Sequence, residues 1–134
     1  MTRMVKSVLV ILCLVLLLGC DSSTTSSGGA GQEISAVNAP QGSVTLECLK
    51  IQWEAQGDNV QIVLYLNNRK VNQFILTADN PQKYFHHAEG KAQAYGTIGF
   101  FAKSVWGSAS LEAQNVTTVE GGRTVHHSGT IATW

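Results

Sequence analysis

The residues best suited by type to do chemistry are two histidine pairs, His86-His87 and His126-His127. Zinc and copper favour imidazole ligands, and Asp79 or Glu89 would be the third donor. Spacing weighs against such a site. Neighbouring residues on a strand point to opposite faces, so each pair offers at most one ligand to a shared ion. The histidines therefore read as surface or rim residues, and neither a metal nor a cofactor is expected.

Nucleophilic chemistry has less to draw on. Of three cysteines, Cys13 and Cys20 lie in the first twenty residues, which leaves Cys48 alone in the remainder with no partner for a disulfide. It reads as a small buried hydrophobe. Serines are plentiful, but no Gly-x-Ser-x-Gly elbow is present, and no acid–base pair is distinguished by its context. The expectation is a protein that is not an enzyme. Trp53, Tyr65, Tyr84, Tyr95, Trp106 and Trp134 would suit a sugar-binding face, although most such residues in a sheet protein are core. Asn115-Val116-Thr117 matches a glycosylation sequon by coincidence of composition.

The elements that must position these residues are strands. Val44, Leu46 and Cys48 share one face of an extended run, whereas Ile51 and Trp53 have the opposite parity, which predicts a bulge near Leu49-Lys50. Val60–Leu66 is apolar enough for a central strand, and Asn67-Asn68 suits a tight hairpin turn. The return strand runs from Lys70 to Thr77, after which Asp79-Asn80-Pro81 breaks the pattern. A short strand at Tyr84–His87 and a connection at Ala88–Lys91 come next, followed by strands over Tyr95–Trp106 and Ser108–Thr118. Glu120-Gly121-Gly122-Arg123 then turns the chain into a last strand, Thr124–Trp134. About seven short strands with glycine-rich turns predict an all-β fold, a small antiparallel β-sandwich, with a small β-barrel as the alternative. Residues 42–51 resemble residues 107–116 in sequence, a likeness that alternating strands produce readily.

Upstream of these strands the chain has another character. Arg3 and Lys6 precede an apolar run from Val8 to Leu18 that is too short for the roughly 20 residues of a bilayer-spanning helix. Leu17-Leu18-Gly19-Cys20 closely resembles the lipobox of bacterial prolipoproteins. The resemblance implies a signal peptide over residues 1–19, cleavage between Gly19 and Cys20, and a palmitate-type lipid anchor on Cys20. Two or three acyl chains, at about 0.8 kcal/mol per buried methylene, would hold a soluble domain at a membrane. In enterobacterial lipoproteins an aspartate in the place of Asp21 resembles an inner-membrane retention signal. Residues 20–39 then read as a lipidated cysteine with a Ser/Gly-rich tether, and residues 40–134 as the sandwich domain.

Charge narrows the partners. Outside the leader, Lys50, Arg69, Lys70, Lys83, Lys91, Lys103 and Arg123 are scattered among acidic residues. They form no basic stripe, so nucleic acid is excluded as a partner. The expected protein is a lipid-anchored protein of the bacterial cell envelope with a non-catalytic binding or assembly role towards a protein partner. The alternatives are a lipoprotein that binds a glycan, metal or small molecule, and, last, an envelope enzyme. A histidine or aromatic cluster on one exposed face would favour the first alternative, and a buried acid–base pair in a cleft the second.

Overall fold

The computed structural model describes residues 31–105 and 107–134; the leader, Gly19, Cys20, the tether as far as residue 30, and Trp106 lie outside the described residues. Among the described residues all ten elements are strands. Two are short, β1 (Gly31–Glu33) and β2 (Val37–Asn38). Eight are longer: β3 (Gln41–Leu46), β4 (Leu49–Gln56), β5 (Asn59–Leu66), β6 (Arg69–Leu76), β7 (Gln82–Glu89), β8 (Ala92–Phe101), β9 (Ser110–Glu120) and β10 (Arg123–Thr133). They form two sheets packed as a sandwich. Sheet B has the order β3-β4-β5-β6, and sheet A has the order β1-β10-β9-β8-β7, with β2 also paired to β10.

Five two-residue turns set the register of the antiparallel pairs: Glu47-Cys48, Gly57-Asp58, Asn67-Asn68, Gly90-Lys91 and Gly121-Gly122. Both residues of Asn67-Asn68 and of Gly121-Gly122 have positive φ, the geometry that matches the twist of a hairpin. The first of the five turns corrects the expected bulge at Leu49-Lys50. Leu46 pairs with Leu49 across Glu47-Cys48, and Glu47 takes the positive φ of 55°. Residues paired across a two-residue turn face the same side, so the parity switch comes from a reversal of the chain. No Gly, Asn or Asp marks this turn, and composition therefore hides it.

Two further differences have similar causes. β8 starts at Ala92 and stops at Phe101, so the expected Tyr95–Trp106 strand is displaced, and residues 102–105 are exposed loop. Small residues hid its start: Ala92 and Ala94 are inward-facing and buried, yet weak as a strand signal. At the other end, β1 and β2 pair in parallel with β10, so strand pairing reaches back into the 20–39 span whose composition is that of a tether. Backbone pairing needs no apolar side chains. The sequence likeness between residues 42–51 and 107–116 has no structural counterpart, because the first segment is a hairpin and the second runs into the single strand β9.

One core joins the sheets. Ile51, Trp53, Ile62 and Leu64 from sheet B meet Phe85, Ile98, Phe100, Leu111 and Ile131 from sheet A in a single buried cluster. Burying each such side chain contributes about 1.5–3 kcal/mol relative to leaving it exposed. Trp53 lies against Gly42, where a Cβ would come within 2.8 Å of its ring, and its Nε1 donates to the Ala39 carbonyl at 3.1 Å. That bond fixes the path of the chain between β2 and β3.

Candidate functional site

Sheet A bends at one level, and the bend organises its outer face. Asn115, at φ 52°, is a bulge in β9, so that two residues there oppose one on β8. Gly96 on β8 stands against it, where a Cβ would lie 2.5 Å from the Val116 Cα. Beside the bend, the register places His86, Tyr95, Thr117 and His126 in one row across β7, β8, β9 and β10. The His86 and Tyr95 rings meet edge to face at 5.4 Å, and a hydrogen bond of 3.0 Å joins Thr117 Oγ1 to His126 Nδ1. His86 Nε2 shares a 2.9 Å hydrogen bond with Gln93 Oε1 on the same face. Tyr84 is opposite Thr97 and diagonal to Tyr95, and the residue is 61% exposed. On the far side of the bend Gln114 lies over Gly99, which has no side chain to block it, and accepts a 3.1 Å hydrogen bond from Gln82.

The two members of each histidine pair point to opposite faces. His86 and His126 are exposed, on the outer face of sheet A, three strand spacings apart, or roughly 14 Å. His87 and His127 point into the sandwich. His87 is half-buried, lies parallel to the Phe85 ring and shares a 3.0 Å hydrogen bond with Asn72 on β6. Burial lowers its pKa, and the neighbouring His86 lowers it further. His127 is fully buried. A 2.8 Å hydrogen bond joins its Nε2 to Thr118 Oγ1, while its Nδ1 has no partner. Burial lowers the His127 pKa, Glu47 draws it upward, and His126 adds to the lowering. Among the described residues no three His, Cys, Asp or Glu side chains are grouped to hold an ion. Asp79 is on the exposed Thr77–Pro81 connection, and Glu89 is bound to Arg69 at 2.7 Å.

The remaining aromatic residues divide between core and margins. Trp53 is core; Trp134 stacks on Phe100 at 6.0 Å and exchanges two backbone hydrogen bonds with Ala109. Tyr65 faces outward on sheet B beneath the Lys50 ammonium, 4.6 Å from the ring centroid. Cys48 is buried beside a small cavity of about 90 Å³ lined by Glu47, Thr118, Glu120 and Arg123. Burial raises its thiol pKa, as do the carboxylates of Glu120 and Glu47. The same end of the sandwich carries polar clamps between the sheets: Arg123 with Glu47 at 3.1 Å, Arg69 with Glu89, and Asn67 donating to Glu120 at 2.9 Å.

Sheet edges are the other candidate surface. β6 has Arg69, Lys70 and a register shift at Val71, and β7 has Lys83 and Glu89. β10 is covered by β1 and β2. β3, with the sequence Gln-Gly-Ser-Val-Thr-Leu, has no charge and no register shift. An open groove of about 450 Å³ runs beside it, lined by Gln41, Ser43, Lys50, Gln52 and Glu54 among others.

Sequence reasoning named the histidines and tyrosines but missed Gln93 and Thr117, which bond His86 and His126, and the Gln82–Gln114 pair on the same face. Their signal is positional: partners in a hairpin are equidistant from its turn, so fixing Gly90-Lys91 and Gly121-Gly122 as turns gives most of the row. No family model, curated protein or solved structure matches this chain.

Proposed function

We propose that this chain is a lipid-anchored, non-catalytic binding domain of the bacterial envelope, and that a protein partner docks by adding an extended segment to the free edge of β3. The observation that supports the reading is the contrast among the edges. Proteins protect edge strands with charge, bulges or cover, because an open row of backbone N–H and C=O groups recruits other strands. β6 and β7 carry charges and β10 is covered, while β3 has none of these protections. Strand addition draws affinity from backbone hydrogen bonds and specificity from flanking side chains, and the groove along β3 supplies the flanks. The anchor rests on the likeness of Leu17-Leu18-Gly19-Cys20 to a lipobox.

Each half has its own test. Palmitate labelling should disappear in Cys20→Ala, since the thioether needs that sulfur; persistent labelling would remove the anchor from the reading. A photo-crosslinking residue at Ser43 should capture a protein in intact cells, whereas one at Ser128, on the other sheet, should not. Adding Thr45→Glu should abolish the Ser43 adduct without lowering the melting temperature, because it places a charge on an exposed edge position whose cross-strand neighbour is Lys50. Equal capture from both positions would eliminate the edge as the docking site.

A further inference from the structure

We infer that the outer face of sheet A is a binding site for an uncharged oligosaccharide, centred on Tyr84, His86 and Tyr95. This site is on the sheet opposite β3 and holds or fails separately from the docking proposed there.

Three properties of the face point to that ligand. The first is charge. Among the outward positions of β7, β8, β9 and β10, Glu112 carries the one formal charge, with histidines counted neutral. It lies two rows from the His86 row and one from the Tyr84 row, and Glu33 on β1, level with Ser128, adds a second carboxylate at the far margin of the sheet. A polyanion finds no lysine or arginine here, and a cation finds two acids on separate strands, Glu112 and Glu33. An uncharged polyol is the electrostatic match.

The second is hydrogen-bonding capacity. The side-chain pairs on the face each use one atom per residue and leave another available. His86 is bonded through Nε2 and keeps Nδ1; Gln93 is bonded through Oε1 and keeps its amide nitrogen. His126 is bonded through Nδ1 and keeps Nε2, and Gln114 is bonded through Oε1 and keeps its nitrogen. These are groups held in place with spare donors and acceptors, the counterpart of sugar hydroxyls, which both donate and accept. Little ordering remains to be done on binding, so less affinity is lost to it.

The third is the aromatic pair. Tyr84 and Tyr95 are diagonal neighbours, at a spacing of about 7–8 Å that aromatic side chains can bridge. The face of an aromatic ring is electron-rich and attracts the polarised C–H groups on the flat side of a pyranose. Tyr84, more than half exposed, has no hydrogen-bond partner in the described residues that would explain its position by stability.

The full chain, purified in a detergent that carries no sugar, is titrated calorimetrically with chitohexaose, cellohexaose, maltohexaose and a heparin hexasaccharide. At least one of the three neutral sugars should bind, and heparin should not. Tyr84→Ala should weaken binding about tenfold, as truncation of an anchoring aromatic does, while Tyr84→Phe stays within about threefold. Gln73→Ala, at an exposed position of β6 on sheet B, should bind like the unaltered protein. Because Tyr84 is exposed, both variants should melt with the parent. The inference is overturned if no neutral hexasaccharide binds at millimolar concentration, if heparin binds as tightly, or if Tyr84→Ala binds unchanged.

Discussion

Acid should weaken this sandwich through His127. The side chain is fully buried, one ring nitrogen is bonded to Thr118 and the other has no partner. Protonation would place a charge beside Val116, its cross-strand neighbour, inside the sandwich with one hydrogen bond to support it, and burial holds the folded pKa below the ordinary 6.5. The unfolded chain then binds the proton more readily than the folded one, so stability rises with pH wherever the two states differ in protonation. His127 therefore costs no stability above pH 6.5, and stability falls as the pH drops from there towards the folded pKa. The slope is about 1.4 kcal/mol per pH unit at its steepest, giving a loss of at most about 1.2 kcal/mol between pH 7 and pH 5.5. For a domain of this size that corresponds to a fall of at most roughly 5–10 °C in melting temperature.

His87 shifts in the same direction, but it is half-buried and solvent weakens its contribution. The exposed pairs Arg123–Glu47 and Arg69–Glu89 contribute little, because exposed ion pairs are worth about 0–1 kcal/mol. His127→Gln keeps a partner for Thr118 and cannot titrate. In urea unfolding at stepwise pH from 7 to 5, the variant should lose about 1 kcal/mol less than the unaltered protein, whatever its stability at pH 7. Parallel pH curves for the two proteins would refute the burial argument. So would a protein that grows more stable on acidification.

Two other perturbations read the fold directly. Gly96→Ala should destabilise by about 3 kcal/mol or more, since its Cβ would meet the Val116 Cα and the Asn115 carbonyl, backbone atoms that cannot move aside. Gly57→Ala, with open space around it and positive φ as its only strain, should cost about 1 kcal/mol; equal losses in thermal melts would contradict the assigned bulge. Cys48 should react slowly with thiol reagents in the native state and rapidly in urea, because the thiol is buried and its pKa raised; rapid native labelling would place it at the surface.

Much of the fold was legible because alternation survives wherever one face of a strand is buried. Val60–Leu66 and the Asn67-Asn68 turn are where the sequence puts them, within one residue. What was hidden lacked side-chain signal. Glu47 takes a left-handed conformation at a cost of about 1–2 kcal/mol. The neighbouring strands supply six paired positions on β3 and β4 to offset it. That compensation is tertiary, and no local pattern records it. The parallel pairing of β1 with β10 is equally silent, being made by backbone groups of residues whose composition matches a linker.

The candidate sites divide along the same line. Residue type singled out His86, Tyr84 and Tyr95, and strand alternation correctly separated His86 from His87 and His126 from His127. The row that joins His86 to His126 depends on register, and register depends on a bulge at Asn115 that shifts β9 by one residue. A slip of one residue would turn Thr117 inward and His127 outward, exchanging a neutral polar face for a buried polar one. Gly96 and Gly129 flank the bulge on both neighbouring strands, at φ 149° and 135°. Their tolerance of those angles lets the bulge sit in the middle of the sheet, where it would otherwise be confined to an edge. The surface chemistry of sheet A is thus set by two glycines and an asparagine that contribute no functional group to it.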